Sequence, residues 1–212
     1  MTPPEAGTHS ARRALPDAST TDVVKDDTLS TTVDPRFNKW EGRLFGGLVL
    51  SAFLLYGIGS ALVDEPIGLV LALANSVAVA TVGVIGFRLL RLHHPRAGAT
   101  YLAARIAEAV LLGGGVVLYS LFDVAEADNT GYLLGMIALG VGSVPFWLVV
   151  GRGPWLSRRF ALWGIVGYVA LAAGALLELT TGRDVVIIAS LLGGLFEVAV
   201  GIRLLRRGFA TT

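Results

Sequence analysis

Cysteine is missing from all 212 residues. Its absence excludes disulfides, iron–sulfur clusters and thiolate metal sites within the chain. Lysine is nearly as scarce, with Lys25 and Lys39 its only copies. Neither falls in an apolar stretch, which excludes a retinal-type Schiff base or another lysine adduct inside a membrane helix. Histidine is confined to His9, His93 and His94. None is placed for haem ligation, a buried zinc site or the base of a serine hydrolase within a membrane helix. Ser76, Ser143 and Ser190 therefore lack a histidine partner, and the His93–His94 pair lacks neighbouring ligands. No cofactor and no metal is expected. Charged residues make up 16% of the chain against 54% hydrophobic ones. With a mean hydropathy of +0.68, the chain is too apolar for an ordinary soluble surface.

What is abundant is long apolar sequence. Six stretches stand out, near Leu44–Val63, Pro66–Leu90, Thr100–Leu121, Gly131–Val150, Phe160–Leu177 and Val185–Leu204. Each approaches the roughly 20 residues that a helix needs to cross about 30 Å of hydrocarbon. The expected fold is all-α: a polytopic membrane protein built as a six-transmembrane-helix bundle over residues 39–212. Residues 1–38 mix Thr, Ser, Pro, Asp, Arg and Lys without an apolar face, and a disordered cytoplasmic tail is expected there. The tail has no apolar core before a cleavage site, so the first span is expected to do the targeting.

Basic and acidic residues alternate along the chain. Arg36, Lys39 and Arg43 precede the first span, and Arg88, Arg91 and Arg96 surround the second connection. Arg152, Arg158 and Arg159 lie in the fourth connection, and Arg203, Arg206 and Arg207 follow the last span. The other connections carry Asp64 and Glu65, then Asp123, Glu126 and Asp128, then Glu178 and Asp184, with Arg183 their lone basic residue. By the positive-inside rule both termini face the cytoplasm of a multi-pass cell-membrane protein, expected in a bacterial inner membrane. One span more or fewer destroys that alternation. Membrane lipids are the expected partners, together with a second copy or another membrane protein. Nucleic acid is not, because the basic residues sit at helix ends where topology and anionic headgroups account for them.

Within the spans most positions are Leu, Val, Ala, Ile and Gly. Gly46, Gly47, Gly113, Gly114, Gly115, Gly193 and Gly194 suit close helix packing in lipid. Pro145 removes a backbone hydrogen bond from span four and is expected to kink it. Trp40, Trp147, Trp155 and Trp163 fall near the basic boundary, where an aromatic belt accounts for them. Secondary polar candidates are Tyr56, Asn75, Ser76, Tyr119, Ser120, Ser143, Tyr168 and Ser190. Asn75 leads them, because a buried amide needs partners. The LLGG of Leu111–Gly114 recurs at Leu191–Gly194, too short a match to establish an inverted repeat.

Three charges break the apolar pattern. Arg105 and Glu108, in YLAARIAEAVLL, are three apart and share a helix face. Glu197 falls at a similar depth in span six, with both carboxylates roughly 10–12 Å from the basic boundary. Such charges normally face the protein interior or a wet cavity. An interhelical cluster of Arg105, Glu108 and Glu197 is expected. Two carboxylates beside one guanidinium leave one surplus negative charge if both ionise, a balance that suits holding a proton or a cationic group. Arg203 is nearer the headgroups, where snorkelling explains it.

These segments also carry a family resemblance. AARIAEAVLL with Arg105 and Glu108, LGVGSVPFWLV with Pro145, and LFEVAVGIRLLRRGF with Phe196 and Glu197 resemble an uncharacterised bacterial family of integral membrane proteins, a domain of unknown function. The closing Gly208 and Phe209 belong to the most specific part, and the similarity spans about residues 42–209. Phe146 and Trp147 stand where the family pattern has tyrosines. The resemblance implies six helices and supplies no substrate or reaction.

Three functions remain open on the residues alone. One is a small transporter or proton-coupled membrane factor. Another is a non-catalytic scaffold or assembly subunit. The third is an intramembrane enzyme acting on a lipid or isoprenoid, with Glu108 or Glu197 as acid or base and Arg105 orienting an anionic group.

Overall fold

A computed structural model describes residues 39–153 and 155–209. The disordered tail expected over 1–38 lies outside the described residues. Six helices follow one another: α1 Lys39–Ala61, α2 Pro66–Leu90, α3 Pro95–Phe122, α4 Ala127–Val150, α5 Arg158–Thr181 and α6 Val186–Arg207. All six are long and apolar enough to cross a membrane. The described residues contain no strand. The protein is an all-α, multi-pass membrane bundle.

The helix ends have local causes. Pro66 and Pro95 occupy the first turns of α2 and α3, where a missing N–H costs nothing. Ser157 caps α5, its Oγ accepting from the Phe160 N–H at 3.3 Å. Gly182 ends α5 at φ +67° and Gly208 ends α6 at φ +65°, a region that glycine enters without a Cβ penalty. The N-terminus of α6 is capped from a distance. Glu178, at the end of α5, accepts from both the Val185 and the Val186 N–H at 2.9 Å. A carboxylate there also suits the positive end of the helix dipole. Sequence reading placed Glu178 among the charges of an acidic loop; the structure buries it as this cap.

Short connections make sequence neighbours antiparallel, and α1 packs against α6 as well as α2. The helices therefore close into a ring in chain order. Connections 62–65, 123–126 and 182–185 gather at an acidic face. Connections 91–94 and 151–157 lie at a basic face, with the start of α1 and the end of α6.

Small residues set the seams of the ring. A Cβ on Gly46 would sit 2.6 Å from the Gly201 carbonyl oxygen, and one on Gly115 would sit 2.6 Å from the Ala127 carbonyl oxygen. Between α5 and α6, a Cβ on Gly167 would lie 2.8 Å from the Gly193 Cα. Close backbone approach of this kind brings dispersion contacts that lipid tails cannot match. Gly47 and Gly114, expected to pack in the same way, do not. Gly114 has nothing within 4 Å of its Cβ position, and Gly47 meets only a Leu205 methyl at 3.6 Å.

On the basic half of the ring axis, aromatic rings fill the interior. Tyr101 stacks on Phe146 at 4.1 Å, and Trp147 meets Phe146 at 5.1 Å and Phe196 at 4.9 Å edge-on. Phe45 of α1 stacks across the ring on Tyr101 and Phe146, each at 6.5 Å. Trp147 and Trp155 are 1% and 2% exposed, which corrects the aromatic-belt reading for these two. Amphipathic rings fit both places by composition; the rotation of α4 decides for Trp147, and the path of the 151–157 connection decides for Trp155. Trp40 is exposed. Arg203 is corrected as well: it donates to the Trp155 carbonyl at 3.2 Å, tying α6 to the 151–157 connection.

Candidate functional site

The five residues at the heart of the site come from one helix face and two other helices. Along α3, Tyr101, Arg105 and Glu108 recur at helical spacing, so all three point toward the ring axis. The α5 helix brings Tyr168 and α6 brings Glu197 to the same level. Arg105 holds them together. Its Nε donates to the Tyr101 hydroxyl at 3.0 Å and its Nη1 to Glu108 Oε2 at 3.0 Å. Its Nη2 donates to Glu197 Oε1 at 2.9 Å and to the Tyr168 hydroxyl at 3.3 Å. Tyr168 in turn donates its hydroxyl proton to the same Glu197 oxygen.

Burial raises the stakes of each bond. Side-chain exposure is 5% for Arg105 and Glu108 and 15% for Glu197. An unpaired charge at such a place costs several kcal/mol in general, so partners are required. The guanidinium suits the task because its fixed fork of donors addresses several acceptors at once. One guanidinium faces two carboxylates, so the ratio of charged groups expected from the sequence is present in the geometry.

The cluster is also a wall. A cavity of about 250 Å³ runs along the ring axis and is lined from all six helices. Arg105, Glu108, Tyr168 and Glu197 form its inner end. The aromatic layer of Phe45, Tyr101, Phe146 and Trp147 lies on the basic side of that end. Val49, Val79, Val82, Leu112, Leu139 and Leu171 supply apolar sides. Tyr56 and Tyr132 stand toward the acidic end, their rings stacked at 5.4 Å and 14°. They come from α1 and α4, which are not neighbours in the ring, so the pair bridges the lumen. Both lie about one and a half turns inside their helix ends.

Asn75 lines the same cavity between the tyrosine pair and the cluster. Its residue is 2% exposed, and its Oδ1 accepts no hydrogen bond. A buried amide oxygen left so costs about 1–3 kcal/mol. Sequence depth alone separated Asn75 from the charged trio, whereas a cavity extended along the axis joins them. Pro145 is half-buried in α4, which continues through it, and it does not line the cavity. Ser143 is buried nearby with an unpartnered Oγ.

Two contributors were missed by sequence reading or undervalued. Tyr101 went unremarked, although its place four residues before Arg105 was the available signal. Tyr168 ranked only as a secondary polar residue; nothing in span five alone marks it as the partner of Glu197. Ser76 turns back to its own helix, donating to the Ala72 carbonyl at 3.2 Å. Tyr119 and Ser120 lie near the acidic face, where Tyr119 donates to Asp64 at 2.8 Å.

Among the described residues no group of three or more His, Cys, Asp or Glu is placed to hold a metal ion. Chemically, the site offers buried carboxylates, phenols, one fixed cation and an open amide acceptor beside apolar walls. No family model, curated protein or solved structure matches the chain. The membrane-bundle architecture and the buried Arg/Glu network therefore stand on the chain's own residues.

Proposed function

We propose that the protein is a small proton-coupled membrane transporter whose substrate site is the axial cavity. One observation carries the reading: the network with one carboxylate in excess ends a cavity lined from every helix. Ion pairs that serve only to fasten helices need no such space beside them. A surplus carboxylate at the end of a cavity can exchange a proton for a substrate cation, which is the minimal requirement for coupling. The rings on either side, Tyr56 with Tyr132 and Phe45 with Tyr101 and Phe146, suit a site that opens to one face at a time. In this reading the basic face is cytoplasmic.

The direct bonds from Arg105 to Glu108 and Glu197 favour a second reading, in which the cluster only fastens α3, α5 and α6. A pH-jump experiment separates the two. Proteoliposomes adsorbed on a solid support are stepped between buffers of different pH, and displaced charge is recorded. Titratable or charged groups facing the cavity are Tyr56 on α1, Arg105 and Glu108 on α3, Tyr132 on α4, Tyr168 on α5 and Glu197 on α6. Tyr101 joins them through Arg105, and α2 contributes the neutral Asn75. The wild type gives a protein-dependent transient, and Glu108→Gln and Glu197→Gln each reduce it by most of its amplitude. A fastening cluster gives no transient in any of the three proteins.

A further inference from the structure

The cavity wall is not equally thick around the ring. The lining residues of α2, α3 and α5 are buried. On α1, Phe53 and Gly57 line the cavity and are exposed, and on α6 Ser190 and Gly194 line it and are half-exposed. The seam between these two helices changes character along its length. On its basic half the backbones touch, with a Cβ on Gly46 meeting Gly201 oxygen and Leu205 nitrogen at 2.6 Å each. Toward the acidic face they part. A Cβ on Gly57 meets nothing within 4 Å, and one on Gly194 meets only the Phe53 ring, at 3.5 Å. Glu197, on the same helix as Gly194, is the most accessible of the three charges.

The exterior around this thin wall is apolar. Leu54, Ile58, Ile187, Leu191 and Leu195 are all exposed there, at depths where hydrocarbon surrounds the helices. A molecule using this route approaches through the bilayer and needs an apolar tail. Inside, it meets the surplus carboxylate, the unpartnered Asn75 Oδ1 and two tyrosine rings. Those are acceptors and π-faces, and together they ask for a cation with several N–H donors. A volume of about 250 Å³ lies below the usual range of ligand pockets and admits only a small body.

We infer that the α1–α6 seam is a lateral portal, with Phe53 across it, through which a primary alkylammonium ion passes from the bilayer to Glu197, Glu108 and Asn75. This deepens the transporter reading and rests on it. The ammonium replaces the proton held by the carboxylate pair, its N–H groups bond the carboxylates and the Asn75 oxygen, and its tail lies along the valine and leucine walls.

The test uses the full chain in lipid nanodiscs with radiolabelled n-octylammonium, taking empty nanodiscs as background. Saturable binding is expected, weakened about tenfold or more by Glu197→Gln. Asn75→Ala weakens n-octylammonium but not octyltrimethylammonium, which has no N–H to lose. That variant leaves the ion pairs intact and keeps the test open should Glu197→Gln fold poorly. Gly57→Trp, which places a ring over the thin wall, slows association several-fold. Methylammonium binding as tightly as n-octylammonium, with no slowing by Gly57→Trp, overturns the portal and leaves the cavity as a cation site. Competition by octan-1-ol equal to that of the ammonium, unaffected by either variant, overturns the ligand class. Neither outcome removes the pH-jump transient, so a failure here is separable from a failure of the transporter reading.

Discussion

Arg105→Gln lowers the free energy of unfolding by about 3–5 kcal/mol, the cost of stripping a buried charge network of one partner. The substitution removes a donor to each of Tyr101, Glu108, Tyr168 and Glu197 and leaves two carboxylates facing one cavity with no cation between them. Glu197→Gln alone costs less, because Arg105 keeps Glu108. The double variant is the informative one. With Glu197 already neutral, the loss of Arg105 strands only Glu108, so the combined cost falls short of the sum by about 0.5–3 kcal/mol. Equilibrium unfolding in mixed micelles of the wild type, both single variants and the double variant measures it. Additive costs mean that the residues do not share a network.

Gly46→Ala is the second large effect, and its neighbour is the control. At position 46 the added methyl meets backbone atoms of α6 at 2.6 Å, and backbone cannot move aside as a side chain can. The helices must separate along their tight half, at about 1–3 kcal/mol. At position 47 the same methyl meets only the Leu205 Cδ1 at 3.6 Å, an ordinary contact. There alanine gains helix propensity, up to about 1 kcal/mol in an exposed helix interior. Thermal unfolding thus moves down for Gly46→Ala and stays level or rises for Gly47→Ala. Equal effects at the two positions contradict the packing of α1 on α6.

Sequence and structure agree best where a single helix suffices. The spans beginning at Pro66 and ending at Leu90 and Val150 coincide with helix ends, since hydropathy, proline and charge act locally. The common level of Glu108 and Glu197 was also legible, because the rise per residue of a helix is fixed. Rotation about each helix axis was not. It decides that Trp147 points inward, that Tyr168 faces Glu197 and that Gly46 touches α6 while Gly47 does not. In nearly uniform apolar sequence, amphipathic patterning is weak and gives little guide to that rotation. Glu178 shows the remaining gap. An acidic residue at a helix end reads as a surface charge until the start of the next helix folds back against it.

The cavity was the least legible feature, being a property of six helices together. Arg105 and Glu108 announced a polar interior, and Asn75 announced a buried amide. Only the ring places the amide and the charges around one space. The absence of cysteine that opens this chain to so few metal chemistries also makes the space measurable.

Gly194→Cys introduces the only thiol in the chain, at a cavity-lining position where the added Cβ sits in ordinary contact with Phe53 at 3.5 Å. Its rate of modification in lipid nanodiscs by aminoethyl methanethiosulfonate, a cation, is compared with that by the neutral methyl reagent. At a pH where the carboxylate pair has released its proton, the cavity holds surplus negative charge and favours the cation by a factor of order ten, and Glu197→Gln brings the two rates together. A thiol that neither reagent reaches, or equal rates with Glu197 intact, contradicts a cation site and leaves the charges as a fastening between helices.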